Sequence, residues 1–247
     1  MRQLKPEEIK ELHKALIELT VVFRDVCEKE GIWYSLAFGT MLGAVREKNI
    51  IQWDTDVDVF VKHSDLQRLR DAFAIQSIDG IHYMNYDKKK KCLKSHDNLI
   101  STRSNVFPDI HLDIYPIVGA PADKKEQDQV TFWWNYADRV IRSKYVDIRQ
   151  CLPKNKILVA VAKVFDHCIP DKYLRANIRY RETKYDMCKT GYWLTLANYG
   201  PGRSCFPVSF LEGFEEKELG GEKFKVMKDW HQFLTIVYGD YMTPKKY

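Results

Sequence analysis

Residues 38–61 read FGTMLGAVREKNIIQWDTDVDVFV, and the second half of this stretch decides the fold. Val57–Val61 (VDVFV) is a strong β run. Alternate side chains of a strand share a face, so Asp54, Asp56 and Asp58 fall on one side while Val57 and Val59 enter the core. Carboxylates this close repel one another unless protons or a cation intervene. Mg²⁺ is a hard ion that takes oxygen ligands and combines a few carboxylates with substrate phosphates. An Asp-x-Asp at a strand end is therefore a candidate metal–phosphate site; the plain alternative is a solvated acidic edge.

Two flanking features favour the functional reading. Upstream, Gly39-Thr40 follows an expected strand (Trp33–Phe38) and precedes MLGAVR, a helical turn or two, where backbone N–H groups and a hydroxyl can meet a phosphate. Downstream, Asp109, His111 and Asp113 share one face of a strand expected over Asp109–Val118 (DIHLDIYPIV), with Pro116 marking its end or an edge position. An unpaired carboxylate at Asp113, among Ile and Leu, would be costly. Acids on a neighbouring strand, with a metal between, give it a partner. Gly-Thr, then Asp-x-Asp, then a lone strand Asp resembles the layout of the nucleotidyltransferase superfamily.

Pro6-Glu7-Glu8 opens a helix with apolar residues from Ile9 to Val26 at helical spacing and Gly31 as a stop. Ser64 with Gln67 resembles a capping box and predicts a helix over 64–73; a strand is expected near 81–85. Asp123 with Glu126 can cap a helix reaching about Tyr145, and two further helices are expected near 153–167 and 171–189. From Tyr192 the chain reads as short and irregular, closing with a helix near Asp229–Tyr238. The expected class is α+β. A nucleotidyltransferase-like mixed sheet with helices occupies residues 1–120, and a mainly helical region with a C-terminal cap occupies 121–247, packed on it as one continuous domain.

Of the 247 residues, 45% are hydrophobic, 30% charged and 13% aromatic, which excludes a disordered chain; Gly and periodicity exclude a collagenous or repeat array. No stretch approaches the roughly 18 apolar residues of a membrane span, and MRQLKPEEIK has no signal-peptide core, so a cytoplasmic protein is expected. Six scattered cysteines give neither a zinc spacing nor a disulfide framework and read as reduced, mostly core thiols. The net charge is +5, yet residues 139–189 hold 13 Lys and Arg against 5 Asp and Glu, leaving −3 for the rest. Lys88–Lys91 reads as an exposed loop, and without an aromatic-interleaved motif no nucleic-acid partner is expected.

The stretch from Phe38 to Val59 resembles the signature of the LicD family of phosphocholine transferases, which also includes the fukutin-type proteins: Gly-Thr-x-Leu-Gly-Ala-x-Arg, then Trp-Asp-x-Asp-x-Asp. HLDIYPI at 111–117 resembles the family's second acidic strand, and YGDYMTP at 238–244 its usual ending. Where many relatives carry three consecutive acids, this chain has Asp54-Thr55-Asp56. The resemblance implies a CDP-activated donor, CDP-choline first among CDP-alcohols. It implies transfer of a phosphorylated alcohol to a cell-surface glycan or its lipid-linked precursor, such as teichoic acid or lipopolysaccharide, with release of CMP.

On that reading Asp56 and Asp58 hold Mg²⁺ (or Mn²⁺) against the donor diphosphate, and Asp113 completes the metal site or takes the acceptor's proton. Gly39 and Thr40 hold phosphate oxygens, and Arg46 is a bidentate phosphate contact. His111 is a general base or a hydrogen-bonded neighbour; Asp54 is a third ligand or lies behind the ligands. A choline head group needs aromatic walls, for which Trp53, Tyr115, Trp193, Tyr199 and Tyr238 are candidates. Three alternatives stand: a nucleotidyltransferase moving NMP to a small molecule or protein, a ribitol- or glycerol-phosphate transferase, and a non-catalytic nucleotide-binding scaffold. Finally, residues 152–167 place Leu152, Ile157, Leu158, Val161, Val164 and Phe165 along one helical side, flanked by Lys154, Lys156 and Lys163. Such a helix either faces the core with its lysines in water, the commoner arrangement, or lies peripherally on the inner face of a membrane.

Overall fold

The computed structural model describes residues 4–85, 96–104, 106–107, 110–151, 156–195 and 204–243. Asp109, Lys88–Lys91, Leu152, Lys154 and Tyr199, all singled out above, lie outside them. The fold is α+β. The chain divides into two compact units, one of residues 1–85, 96–117 and 206–247, the other of 86–95 and 118–205.

The first unit opens with α1 (Pro6–Lys29), whose first turn carries Pro6, Glu7 and Glu8. A short strand β1 (Tyr34–Leu36) leads at once into α2 (Phe38–Arg46), followed by β2 (Val57–Lys62), α3 (Leu66–Gln76), β3 (Ile81–Met84), β4 (Asp97–Ser101) and β5 (Ile110–Ala120). The strand order is β1-β2-β5-β4-β3, with β2 and β5 parallel and the other pairs antiparallel. A hairpin, β8 (Phe214–Leu219) and β9 (Glu222–Met227), turns at Gly220-Gly221 and precedes α8 (Trp230–Tyr238). Behind the sheet Phe38, Phe60, Phe206 and Phe233 pack ring against ring: Phe38 on Phe60 with centroids 4.8 Å apart, Phe60 on Phe233 at 5.6 Å, Phe206 on Phe233 at 4.9 Å. These rings fix α2 and α8 to β2.

Several expectations need correcting. Pro116 neither ends its strand nor lies at an edge: β5 is central and runs on to Ala120. The ladder to β4 stops at Ile114, so the N–H missing at Pro116 removes no bond to β4. No capping box forms on Ser64; residues 63–65 make a 3₁₀ turn, α3 starts at Leu66, and Asp65 binds Arg68. Strand β4 was not anticipated. Its first residue, Asp97, is buried and binds Arg70 Nε at 2.8 Å and the Tyr83 hydroxyl at 2.8 Å, locking β4 to α3 and β3. The C-terminal stretch read as irregular holds the β8–β9 hairpin. Of the described cysteines only Cys27 is buried.

The second unit contains α4 (Lys124–Tyr145), α5 (Lys156–His167), α6 (Asp171–Thr183), the short α7 (Met187–Thr190), β6 (Tyr192–Thr195) and the start of β7 (Cys205–Pro207). The expected cap is present: the Asp123 carboxylate accepts from the Glu126 N–H at 3.0 Å. Val130, Trp134, Ala137, Val140 and Ile141 of α4 form the core with Leu174 and Ile178 of α6 and with Val118, Ala120 and Leu194. Among the described residues no helix is long and apolar enough to cross a membrane.

Asp97→Ala is expected to lower stability by about 3 kcal/mol, because it removes a buried carboxylate that accepts from both the Arg70 guanidinium, only 17% exposed, and the Tyr83 hydroxyl. Urea unfolding followed by circular dichroism checks this, and a loss under about 1 kcal/mol would assign β4's position to apolar packing instead.

Candidate active site

The acids come together on the pair β2 and β5. In their parallel register Asp58 lies opposite Asp113. Asp56, just before β2, His111 and Asp113 each bring a ligand atom within 4.8 Å of the others, and His111 Nε2 is 3.8 Å from Asp113 Oδ1. Asp113 is 4% exposed and is held by two residues of the neighbouring segment: His96 Nε2 donates to Oδ2 at 3.0 Å and the Asn98 amide donates to Oδ1. Asn98 sits opposite Asp113 in the β4–β5 register. His96 and Asn98 escaped the sequence reading. The only signal for them is a short polar-headed strand, DNLIS, that carries no motif.

Asp58 is fixed through its backbone. Its carbonyl accepts from the Ala37 N–H at 2.9 Å, and its N–H donates to the Thr40 hydroxyl, also at 2.9 Å. Thr40 is 2% exposed, so its oxygen is engaged with β2 from the first turn of α2. Phe38 enters α2 with φ +43°, a left-handed conformation that a bulky residue adopts at a cost; its buried ring, packed on Phe60 and Tyr115, offsets that cost. This sharp corner aims the open N–H end of α2 alongside the acids.

Gly43 is required by a close approach of backbone, whereas Gly39 is approached by the end of a side chain. A Cβ on Gly39 would sit 2.8 Å from Asp54 Oδ2, and one on Gly43 only 2.4 Å from the Asn49 carbonyl oxygen. Asp54 therefore rests its carboxylate against the backbone of the α2 first turn, while His13 Nε2 donates to its carbonyl at 2.9 Å. Burial, and then the charge and side-chain contact of Asp56, push the Asp54 carboxyl up to about 7.

Arg46 is 10% exposed at its side chain. It donates through Nη1 to the Tyr241 carbonyl at 3.2 Å and through Nη2 to Glu47 at 2.6 Å, tying α2 to the C-terminal segment. Beside it lies a cleft of about 190 Å³ lined by Gly39, Leu42, Arg46, Ile51, Trp53, Asp54, Tyr238, Asp240, Tyr241 and Thr243. Trp53 and Tyr238, two of the five candidate aromatics, thus meet, joined by Tyr241, which the sequence did not single out. Tyr115 stacks on His96 instead, with centroids 4.3 Å apart, and Trp193 is a fully buried residue of the second unit. A larger cleft of about 1110 Å³ runs along α1 and residues 47–52; it is open and includes none of Asp54, Asp56, Asp58 and Asp113. The smaller cleft is the one that adjoins the acids: Asp54 lines it, and the Asp54 side chain contacts that of Asp56.

A family model described as LicD/FKTN/FKRP, nucleotidyltransferase domain, matches residues 31–161, more than half of the chain and all of the strands that bear the acids. The chain belongs to the LicD family. The lipopolysaccharide cholinephosphotransferase LicD of Haemophilus influenzae is 25% identical to it over 252 aligned residues, covering 97% of this chain and 93% of that protein. The LicD-family match begins before β1 and spans α2, β2 and β5, so the corner at Phe38 and the parallel acidic pair both fall within it.

In metal-free buffer the Asp54 carboxyl should make stability fall with rising pH. The unfolded group loses its proton near 3.8, the folded one near 7, so between these values the folded state holds the extra proton and stability declines as pH rises. Thermal melts in EDTA from about pH 5 to about pH 8 should slope downward, and more shallowly for Asp54→Asn. Equal slopes would remove Asp54 as the cause.

Proposed function

We propose that the protein transfers phosphocholine from CDP-choline to a hydroxyl of a lipopolysaccharide-type glycan and releases CMP. The observation that carries this reading is the adjacency of the acidic cluster and an aromatic-walled cleft of head-group size through one residue, Asp54. The name of the Haemophilus influenzae relative supports choline phosphate as the group moved and lipopolysaccharide as the acceptor class.

The donor set suits a hard divalent cation, Mg²⁺ or Mn²⁺. It consists of carboxylates brought together from adjacent strands, with His111 beside them. Asp56, Asp58 and Asp113 would hold the ion. When bound, it supplies the positive charge that a diphosphate needs as its P–O bond to the leaving nucleotide breaks. The protein's own residues do the rest. Asn98 and His96 keep Asp113 oriented, and Thr40 with Ala37 keeps Asp58 in register. The first-turn N–H groups of α2 offer donors to donor phosphate oxygens. The acceptor oxygen attacks the choline-bearing phosphorus, CMP leaves, and the acceptor's proton goes to His111 Nε2, which at 33% side-chain exposure is more open than Asp113 at 5%. Trp53, Tyr238 and Tyr241 face the quaternary ammonium, with Asp240 nearby as counter-charge. Those walls favour choline over ribitol or glycerol, and three clustered carboxylates are needless in a bare scaffold.

The deciding experiment supplies Mg²⁺, a glycan acceptor and in turn CDP-choline, CDP-ribitol and CDP-glycerol, and measures CMP. Turnover is expected with CDP-choline. Pyrophosphate release from a nucleoside triphosphate, without CMP from any CDP-alcohol, would establish nucleotidyl transfer instead. Asp56→Asn and Asp58→Asn should each abolish turnover with circular dichroism unchanged, and wild-type rates in either would end the metal assignment. EDTA should stop the reaction and Mg²⁺ or Mn²⁺ restore it, whereas a low dose of a zinc chelator should not. Trp53→Ala should raise KM for CDP-choline about tenfold with little change in kcat, the pattern for a lost ground-state contact of about 1.4 kcal/mol.

A further inference from the structure

Helix α5 is folded with its apolar side outward. Ile157, Val161, Val164 and Phe165 follow one another at intervals of four, three and one, a single stripe on an α-helix, and they are 80%, 50%, 69% and 70% exposed. The opposite side, where Val159 and Ala162 accompany Lys163 and Asp166, is half-buried and tied to the protein. Lys163 Nζ donates to the Val146 carbonyl at 2.7 Å, and the Asp166 carboxylate accepts from the Ser143 hydroxyl of α4. A helix on the surface of a globular unit ordinarily turns its apolar stripe to the core. Here the hydrogen bonds of Lys163 and Asp166 commit it to the reverse, so the core-facing arrangement expected from sequence does not hold.

The charge of the surrounding chain narrows what can cover this stripe. Residues 139–189, which include α5 and α6, carry a local +8 within a chain of net +5. Two copies meeting stripe to stripe would bring like charges together, whereas an anionic bilayer complements both the stripe and the cations. Exposed Trp133, Tyr173 and Tyr180 in the same unit are residue types enriched at membrane–water interfaces. With 12 residues, α5 is too short to span a bilayer and suited to lie in its plane.

We propose that α5 seats the protein on an anionic lipid surface, with Ile157, Val161, Val164 and Phe165 at the boundary of head groups and acyl chains and the basic residues of its unit against the head groups. This stands on the helix geometry and on no step of the reaction proposed above, and its test requires no turnover.

The full chain is mixed with sedimentable vesicles of phosphatidylcholine, with and without about 30% phosphatidylglycerol, in about 50 mM and about 500 mM NaCl. It should pellet with the anionic vesicles at low salt, and less at high salt. The double substitution Val164→Asp with Phe165→Asp should lower the bound fraction about tenfold while circular dichroism stays unchanged. If that variant does not fold, Ile157→Asp with Val161→Asp makes the same test on the other half of the stripe. No binding to anionic vesicles at low salt, or equal binding by a folded stripe variant, overturns the proposal. So does self-association of the native chain in sedimentation velocity that the variant abolishes, which would make the stripe an interface between copies.

Discussion

Two carboxylates placed side by side on parallel strands set the terms for the rest of the first unit. Asp58 and Asp113 are neighbours by backbone register, and Asp56 adds a third negative group within reach. Like charges so close are unfavourable in themselves, and the surrounding structure holds them against that repulsion. Thr40 and Ala37 grip the backbone of Asp58, His96 and Asn98 grip the side chain of Asp113, and Arg70 with Tyr83 grips the strand that carries Asn98. Strain at Phe38 and close packing at Gly39 and Gly43 belong to the same arrangement, since they bring α2 near enough to take part. The cluster is thus held in place by its neighbours, the arrangement that the proposed cation site would need.

The sequence showed this site wherever a periodicity or a motif carried it. The two-residue repeat placed Asp56 and Asp58 on one face and His111 and Asp113 on another, and Gly39-Thr40 fell at a helix start as expected. What it hid is instructive. Asn98 and His96 act through pairing across strands, and nothing local in DNLIS reveals a partner 15 residues away. Thr40 reads as a phosphate contact; in the fold its oxygen also accepts from the Asp58 N–H, a tie that no local pattern announces. The β8–β9 hairpin escaped because β8 is mostly exposed on both faces, so the alternation that marks a half-buried strand is missing. Pro116 misled because a proline argues for an edge only where a ladder bond is lost.

Helix α5 shows the limit of amphipathic patterns. The pattern predicted the helix and its apolar stripe, and both are present, but periodicity cannot say which side faces inward. That was decided by two polar tethers to α4 and to the chain just after it, Lys163 to Val146 and Asp166 to Ser143. Neither is visible without tertiary structure, and both invert the commoner arrangement.

The parallel pairing of β2 with β5 also dictates an order of assembly. Parallel neighbours need a long crossover, and here Asp58 and Asp113 stand 55 positions apart in the chain, with β3 and β4 between them. Non-local pairings of this kind form slowly, because the intervening loop must close before any contact rewards it. A nascent chain that has reached only residue 109 already contains α1, α2 and β2 but no strand on which to seat the third carboxylate. Asp113 meets both Asp58 and Asn98 only once β5 is paired with β2 on one side and with β4 on the other.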